Sequence, residues 1–141
     1  MTANAELCKE VADWAEKAQN TRGTAVAFDM TDWIHNDDLY ESADEIPVEQ
    51  LKEGSCGTAA CIAGYVALMR APKGTTTTGS TLYLPDGGMT DCDRFAQGEL
   101  GIDSSQASAL FYCSNDTAIA RLRYLSENPD ATEWDLLNVV G

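Results

Sequence analysis

The residues best suited to chemistry fall in one run, Ser55-Cys56-Gly57-Thr58-Ala59-Ala60-Cys61-Ile62-Ala63-Gly64-Tyr65. A cysteine where a helix begins meets free backbone N–H groups and the positive end of the helix dipole. Both lower a thiol's pKa, and the N–H groups can hold an oxyanion. Gly57 next to Cys56 would let a substrate carbonyl approach the backbone. A thiol hydrolase or transferase also needs a base. The single histidine, His35, lies upstream beside Asp37 and Asp38. Cys56 as nucleophile with His35 as base is therefore one reading. The preferred one is structural: Cys56 and Cys61 are small apolar side chains supporting a buried helix, and no catalytic residue is assigned.

Metal chemistry is weaker. Cys56 and Cys61 have the gap that opens a plant-type ferredoxin motif, with Cys92 further on, but Gly64 stands where the third close cysteine belongs. Cys92 and Cys113 do not form the close pair that zinc sites use. A Cys-ligated metal protein is the third reading, and the expectation is no metal and no cofactor. No EF-hand loop, Walker loop or Gly-x-Gly-x-x-Gly turn is present.

The other chemical signal is charge. Twenty-three acidic residues against nine Lys and Arg give a net charge of −14. Such a chain is repelled by nucleic acid backbones and anionic membranes, so neither is expected as a direct partner. From Gly23 to Leu51 there is no Lys or Arg, while Asp29, Asp32, Asp37, Asp38, Glu41, Asp44, Glu45 and Glu49 all fall there. Trp33 and Tyr40 are interleaved with these acids. Aromatic anchors in a charged rim make a protein-binding surface, and Asp32, Trp33, Asp37, Asp38, Tyr40 and Glu41 are its candidate residues. The matching partner is a protein with a basic or nucleic-acid-binding surface, whose groove an acidic face can occupy by imitating phosphates.

The elements that would position these groups follow from periodicity. Leu7, Val11, Trp14, Ala15 and Ala18 predict an amphipathic helix over Ala5–Gln19. Thr24–Met30 reads as extended, and a short turn of helix is expected near Pro47. Ser55 or Thr58 can cap a central buried helix reaching Arg70, on which Gly57, Ala60, Gly64 and Ala67 share a face that another backbone can approach. Ile62, Val66 and Met69 would pack on a neighbouring face. The Thr75–Ser80 run and Thr81–Leu84 suggest a small hairpin, followed by a turn at Pro85-Asp86-Gly87-Gly88. Helices are expected over Thr90–Gln97, Ser104–Tyr112, Thr117–Leu125 and Glu133–Val140, with Thr90, Asp103 and Asp116 as caps.

The pieces Phe28-Asp29-Met30 with Trp33, Cys56-Gly57-Thr58 with Cys61-Ile62-Ala63-Gly64, Leu100-Gly101-Ile102, Ala107, Leu110-Phe111 and Ala118–Leu122 together carry a resemblance. Over roughly Phe28–Leu125 the chain resembles a group of small uncharacterised proteins of actinobacteria and their phages. That resemblance implies a phage or actinobacterial origin and a similar fold. It supplies no catalytic residues.

The expectation is thus a single domain over residues 1–141, mostly helical α+β, with a buried central helix, surrounding short helices and a small hairpin. No apolar run approaches the ~20 residues of a membrane span, and the five cysteines are expected to be reduced, in a bacterial cytoplasm. The function expected is that of a small, acidic, non-enzymatic accessory protein that modulates a host protein. Its oligomeric state is left open by the small-residue stripe.

Overall fold

The computed structural model describes residues 3–20, 26–30, 33–35, 46–52 and 59–140. Helix α1 (Ala5–Asn20) starts where the Asn4 side-chain oxygen accepts from the Leu7 N–H at 3.1 Å. Its apolar repeat does what the spacing predicts: Leu7, Cys8, Val11, Ala12 and Ala15 are all buried. Strands β1 (Ala27–Phe28), β2 (Ile34–His35) and β3 (Ile46–Pro47) precede helix α2 (Val48–Lys52), so Pro47 sits in a strand and not in a helical first turn. Then come β4 (Ala59–Ala60), α3 (Ile62–Arg70), β5 (Thr76–Thr77), β6 (Thr81–Tyr83) and β7 (Met89–Asp91). Four helices finish the chain: α4 (Cys92–Leu100), α5 (Ser104–Phe111), α6 (Asn115–Glu127) and α7 (Glu133–Leu137). The fold is a mostly helical α+β arrangement.

Two small sheets carry the β content. In one, β4 is central, parallel to β1 and antiparallel to β2, with Ala59 opposite both Ala27 and His35. In the other, β3-β5-β6-β7 are all antiparallel neighbours. The expected hairpin between the Thr run and Leu82 is present as β5–β6, with Thr77 opposite Leu82, but it is the middle of a four-stranded sheet. The next turn, between β6 and β7 at the expected Pro85-Asp86-Gly87-Gly88, is closed by the Leu84 N–H on the Gly88 carbonyl, with Gly87 at a left-handed φ of 94°.

The central helix is shorter than its periodicity suggests. It starts at Ile62 with Cys61 as its cap, because Ala59 and Ala60 are drawn into the sheet between β1 and β2. Gly57 and Ala60 therefore precede the helix and do not share a helical face with Gly64 and Ala67. Close backbone approach does occur, at Gly64, where the Trp33 carbonyl lies against the helix and also accepts from the Cys61 N–H at 3.2 Å. Ile62 and Val66 are fully buried, but Met69 is 39% exposed and is not a packing residue. Thr90 belongs to β7, and α4 begins after Asp91.

One cluster of buried side chains joins α1, α3, α4, α5, α6 and α7 through Leu7, Val11, Ile62, Leu100, Leu110, Leu122 and Leu136. A second, with Ile34, Leu51, Leu68 and Leu82, lies under the sheets. Trp14, Trp33 and Tyr65 pack against both. Trp14 stacks on Tyr65 at 3.7 Å with planes 6° apart, meets Phe28 edge-on, and donates its indole N–H to the Val26 carbonyl. These three aromatics weld the helical body to the sheet that carries Trp33.

Candidate functional site

Of the expected partner face, Trp33 is the residue the structure describes; Asp32, Asp37, Asp38, Tyr40 and Glu41 lie outside the described residues. Its position is tightly set. The chain ahead of it is pinned by the Asp29 N–H on the Ala60 carbonyl and the Met30 N–H on the Asn115 side chain, both at 3.0 Å. Its own carbonyl is held at the start of α3. The half-buried indole meets Phe111 at 6.4 Å and Tyr112 at 5.8 Å, both edge-on.

Tyr112 is the residue that sequence reasoning missed. The expected helix ran through it, which would have placed it beside the buried Leu110 and Phe111. Instead α5 stops at Phe111, and Tyr112 takes φ −120°, ψ 32° at the C-cap, leaving it 67% exposed. The capping box of Asp103 and Gln106 fixes where α5 starts, but no comparable residue in the sequence marks its end. Trp33 and Tyr112 together form an aromatic pair whose outer member faces solvent. The carboxylate-rich residues 36–45 join β2, immediately after Trp33, to β3.

The thiols are placed very differently from a catalytic set. Cys61 is buried as the cap of α3, its sulfur accepting from the Gly64 N–H at 3.4 Å. Cys92 is fully buried and donates to the Gly79 carbonyl. Burial first, then the neighbouring Cys61, Asp93 and Asp91, pushes the Cys92 thiol up to about 12. Burial likewise pushes Cys8 up to about 11. Cys113, half-buried, is raised by burial against the opposing pull of the Arg121 guanidinium. Raised pKa values make thiols inert at neutral pH.

Cys56 lies outside the described residues, but the helix it was expected to begin starts at Ile62. The dipole and free N–H groups of that helix therefore serve Cys61. The backbone of His35 pairs with that of Ala59, which follows Cys56 by three positions in the sequence. Among the described residues no three His, Cys, Asp or Glu side chains converge as a metal site. Nor is any described helix long and apolar enough to cross a membrane.

Comparison with known proteins adds no assignment to this geometry: no protein-family model matches the chain, and neither a curated protein nor a solved structure is significantly similar to it.

Proposed function

We propose that this chain is a small acidic binding protein of phage-related origin, without catalytic activity, which modulates a bacterial host protein in the cytoplasm. Its working face is the acidic segment carrying Asp32, Asp37, Asp38, Tyr40 and Glu41, anchored by Trp33 and widened by Tyr112. The partner is a protein with a basic surface, such as one that binds nucleic acid. The observation that carries this reading is Tyr112, an exposed aromatic held edge-on against Trp33, which lies within the stretch of sequence that has no Lys or Arg. Exposed aromatics beside steering charge are what protein interfaces use as anchors. The resemblance to actinobacterial and phage proteins supports the origin.

The test is affinity capture from actinobacterial lysate at low and high salt, with wild-type protein and an Asp37→Lys/Asp38→Lys variant. A partner should be retained at low salt and lost both at high salt and on charge reversal. The variant's melting temperature should stay within about 2 °C if the two carboxylates serve binding and not the fold. Absence of any salt-sensitive partner, or equal capture by the reversed variant, would sink the reading.

Thiol chemistry at Cys56 is the second reading, favoured by the register that brings His35 alongside the strand three residues beyond it. It would have to work without the N-terminus of α3. Alkylation of the native protein at neutral pH, followed by peptide mapping, separates the two. Cys8, Cys61 and Cys92 should stay unmodified until denaturant is added, as their burial dictates. Cys56 should react no faster than an ordinary thiol; labelling many times faster would favour catalysis.

A further inference from the structure

The most exposed large apolar side chains of the described residues include three near the end of the chain: Trp134 at 72%, Leu137 at 51% and Val140 at 75%. Trp134 and Leu137 are three residues apart on α7 and so lie on one side of it, while Leu136 turns into the core. This is not a frayed tail. Thr132 and Asp135 cap α7 reciprocally. The Trp134 carbonyl accepts from the Asn138 side chain, the Leu136 carbonyl from the Val139 N–H, and the Val139 carbonyl from the buried Arg121 guanidinium. A tryptophan held in place on an ordered scaffold and left in water is an interface anchor without its partner.

The surroundings say what kind of partner. From Tyr124 to the last residue the chain holds Glu127, Asp130, Glu133 and Asp135 and no Lys, Arg or His. An open hollow of about 400 Å³ adjoins α7, lined by Tyr124, Glu127, Asn128, Asp130 and Asp135 among others. One short helix thus carries two exposed apolar side chains and, through Asp135, part of the wall of an acidic concavity, a combination complementary to a segment that is apolar on one side and cationic on the other. A second copy of this chain would bring the same four carboxylates against these, and an anionic bilayer would be repelled likewise.

We infer that α7 and the hollow beside it form a second docking surface, separate from the acidic segment around Trp33, which takes a basic amphipathic segment of a partner protein. Trp134 and Leu137 cover its apolar side, and Glu127 and Asp130 receive its Lys or Arg side chains. A chain with two such surfaces can bridge two basic sites.

The probe is a fluorescein-labelled amphipathic helical peptide of Leu and Lys, titrated with the full chain and read by anisotropy. The comparison peptides are one in which Ser replaces Leu and one in which Glu replaces Lys. Tight binding is expected for the Leu/Lys peptide alone. Trp134→Ser and Glu127→Gln/Asp130→Asn should each weaken it at least about tenfold. The Asp37→Lys/Asp38→Lys variant should weaken it by no more than the fall in net charge explains, so failure here is distinguishable from failure of the first surface. Trp134 is exposed, so the serine variant should keep the wild-type melting curve. Equal binding of the Ser/Lys peptide, or no loss with Trp134→Ser, would overturn the proposal by showing charge alone at work. So would sedimentation showing that Trp134→Ser dissolves a dimer, or equal affinity for vesicles of anionic lipid.

Discussion

Replacing Gly64 with alanine is expected to destabilise the fold by about 3 kcal/mol or more, the upper range for overpacking a rigid contact. A β-carbon at position 64 would overlap the Trp33 carbonyl oxygen, crowd its carbonyl carbon to 2.6 Å and press the Ile34 side chain at 3.1 Å. The first two are backbone atoms, which have no rotamer to escape into. They cannot retreat freely either, because the same carbonyl accepts from the Cys61 N–H at the start of α3 and Trp33 leads directly into β2. Relief would require α3 to move away from the β1-β4-β2 sheet, taking Ile62 and Val66 out of their packing. Urea unfolding followed by circular dichroism measures this through the midpoint. A loss below about 0.5 kcal/mol would show that the Trp33 strand yields easily and is not clamped. Because Trp33 is also the inner member of the proposed partner face, the alanine variant should lose partner capture along with stability, unlike a surface charge reversal.

That glycine illustrates how far the sequence can be read. The small residues around Gly64 signal that another backbone comes close, and one does. What they do not signal is which element approaches, since a strand carbonyl and a neighbouring helix ask for the same absence of side chain. The same ambiguity hid β4. Gly57, Ala60, Gly64 and Ala67 have helical spacing, and alanine favours helix locally, yet Ala59 and Ala60 are paired on both sides with strands 24 to 32 residues earlier. Partners distant in the chain override propensity, and two-residue strands leave no alternating pattern to find. Helices with their own punctuation were legible: α1 by its apolar stripe, α5 by Asp103 and Gln106, α7 by the residues around Glu133. For the site, the acids and Trp33 stand out in the sequence because charge and aromatic content need no fold to be seen. Tyr112 does not, since its exposure depends on α5 ending one residue earlier than its apolar run. Arg121 does not stand out either, since a cation late in a helix suits the dipole whether or not it is buried; only the packing of α5 and α7 against α6 shows that it is buried.

That arginine carries the second large effect. Arg121 is 7% exposed, and its guanidinium donates through Nε to the Val139 carbonyl at 2.9 Å and through one terminal nitrogen to the Ala109 carbonyl. One side chain on α6 thus ties the end of α5 to the residues after α7. Arg121→Ala should cost about 3 kcal/mol, from two stranded carbonyls and the volume left behind. Arg121→Lys should recover no more than about half of that, because a single ammonium on a longer tether lacks the planar fork that reaches both. Loss should also be local in a way that global packing defects are not. Hydrogen exchange at Val139 and within α7 should accelerate in the alanine variant at denaturant concentrations where α1 is still protected, since α7 is short and its last turn depends on this tie. Uniform acceleration across α1, α6 and α7 would assign Arg121 to the common core instead. A methionine variant as stable as wild type would go further and show that the fork satisfies carbonyls that tolerate being left bare. If the tie is local, Arg121 is what keeps Trp134 and Leu137 presented in one geometry, so stability of the C-terminal segment and the shape of its exposed face are controlled by the same two hydrogen bonds.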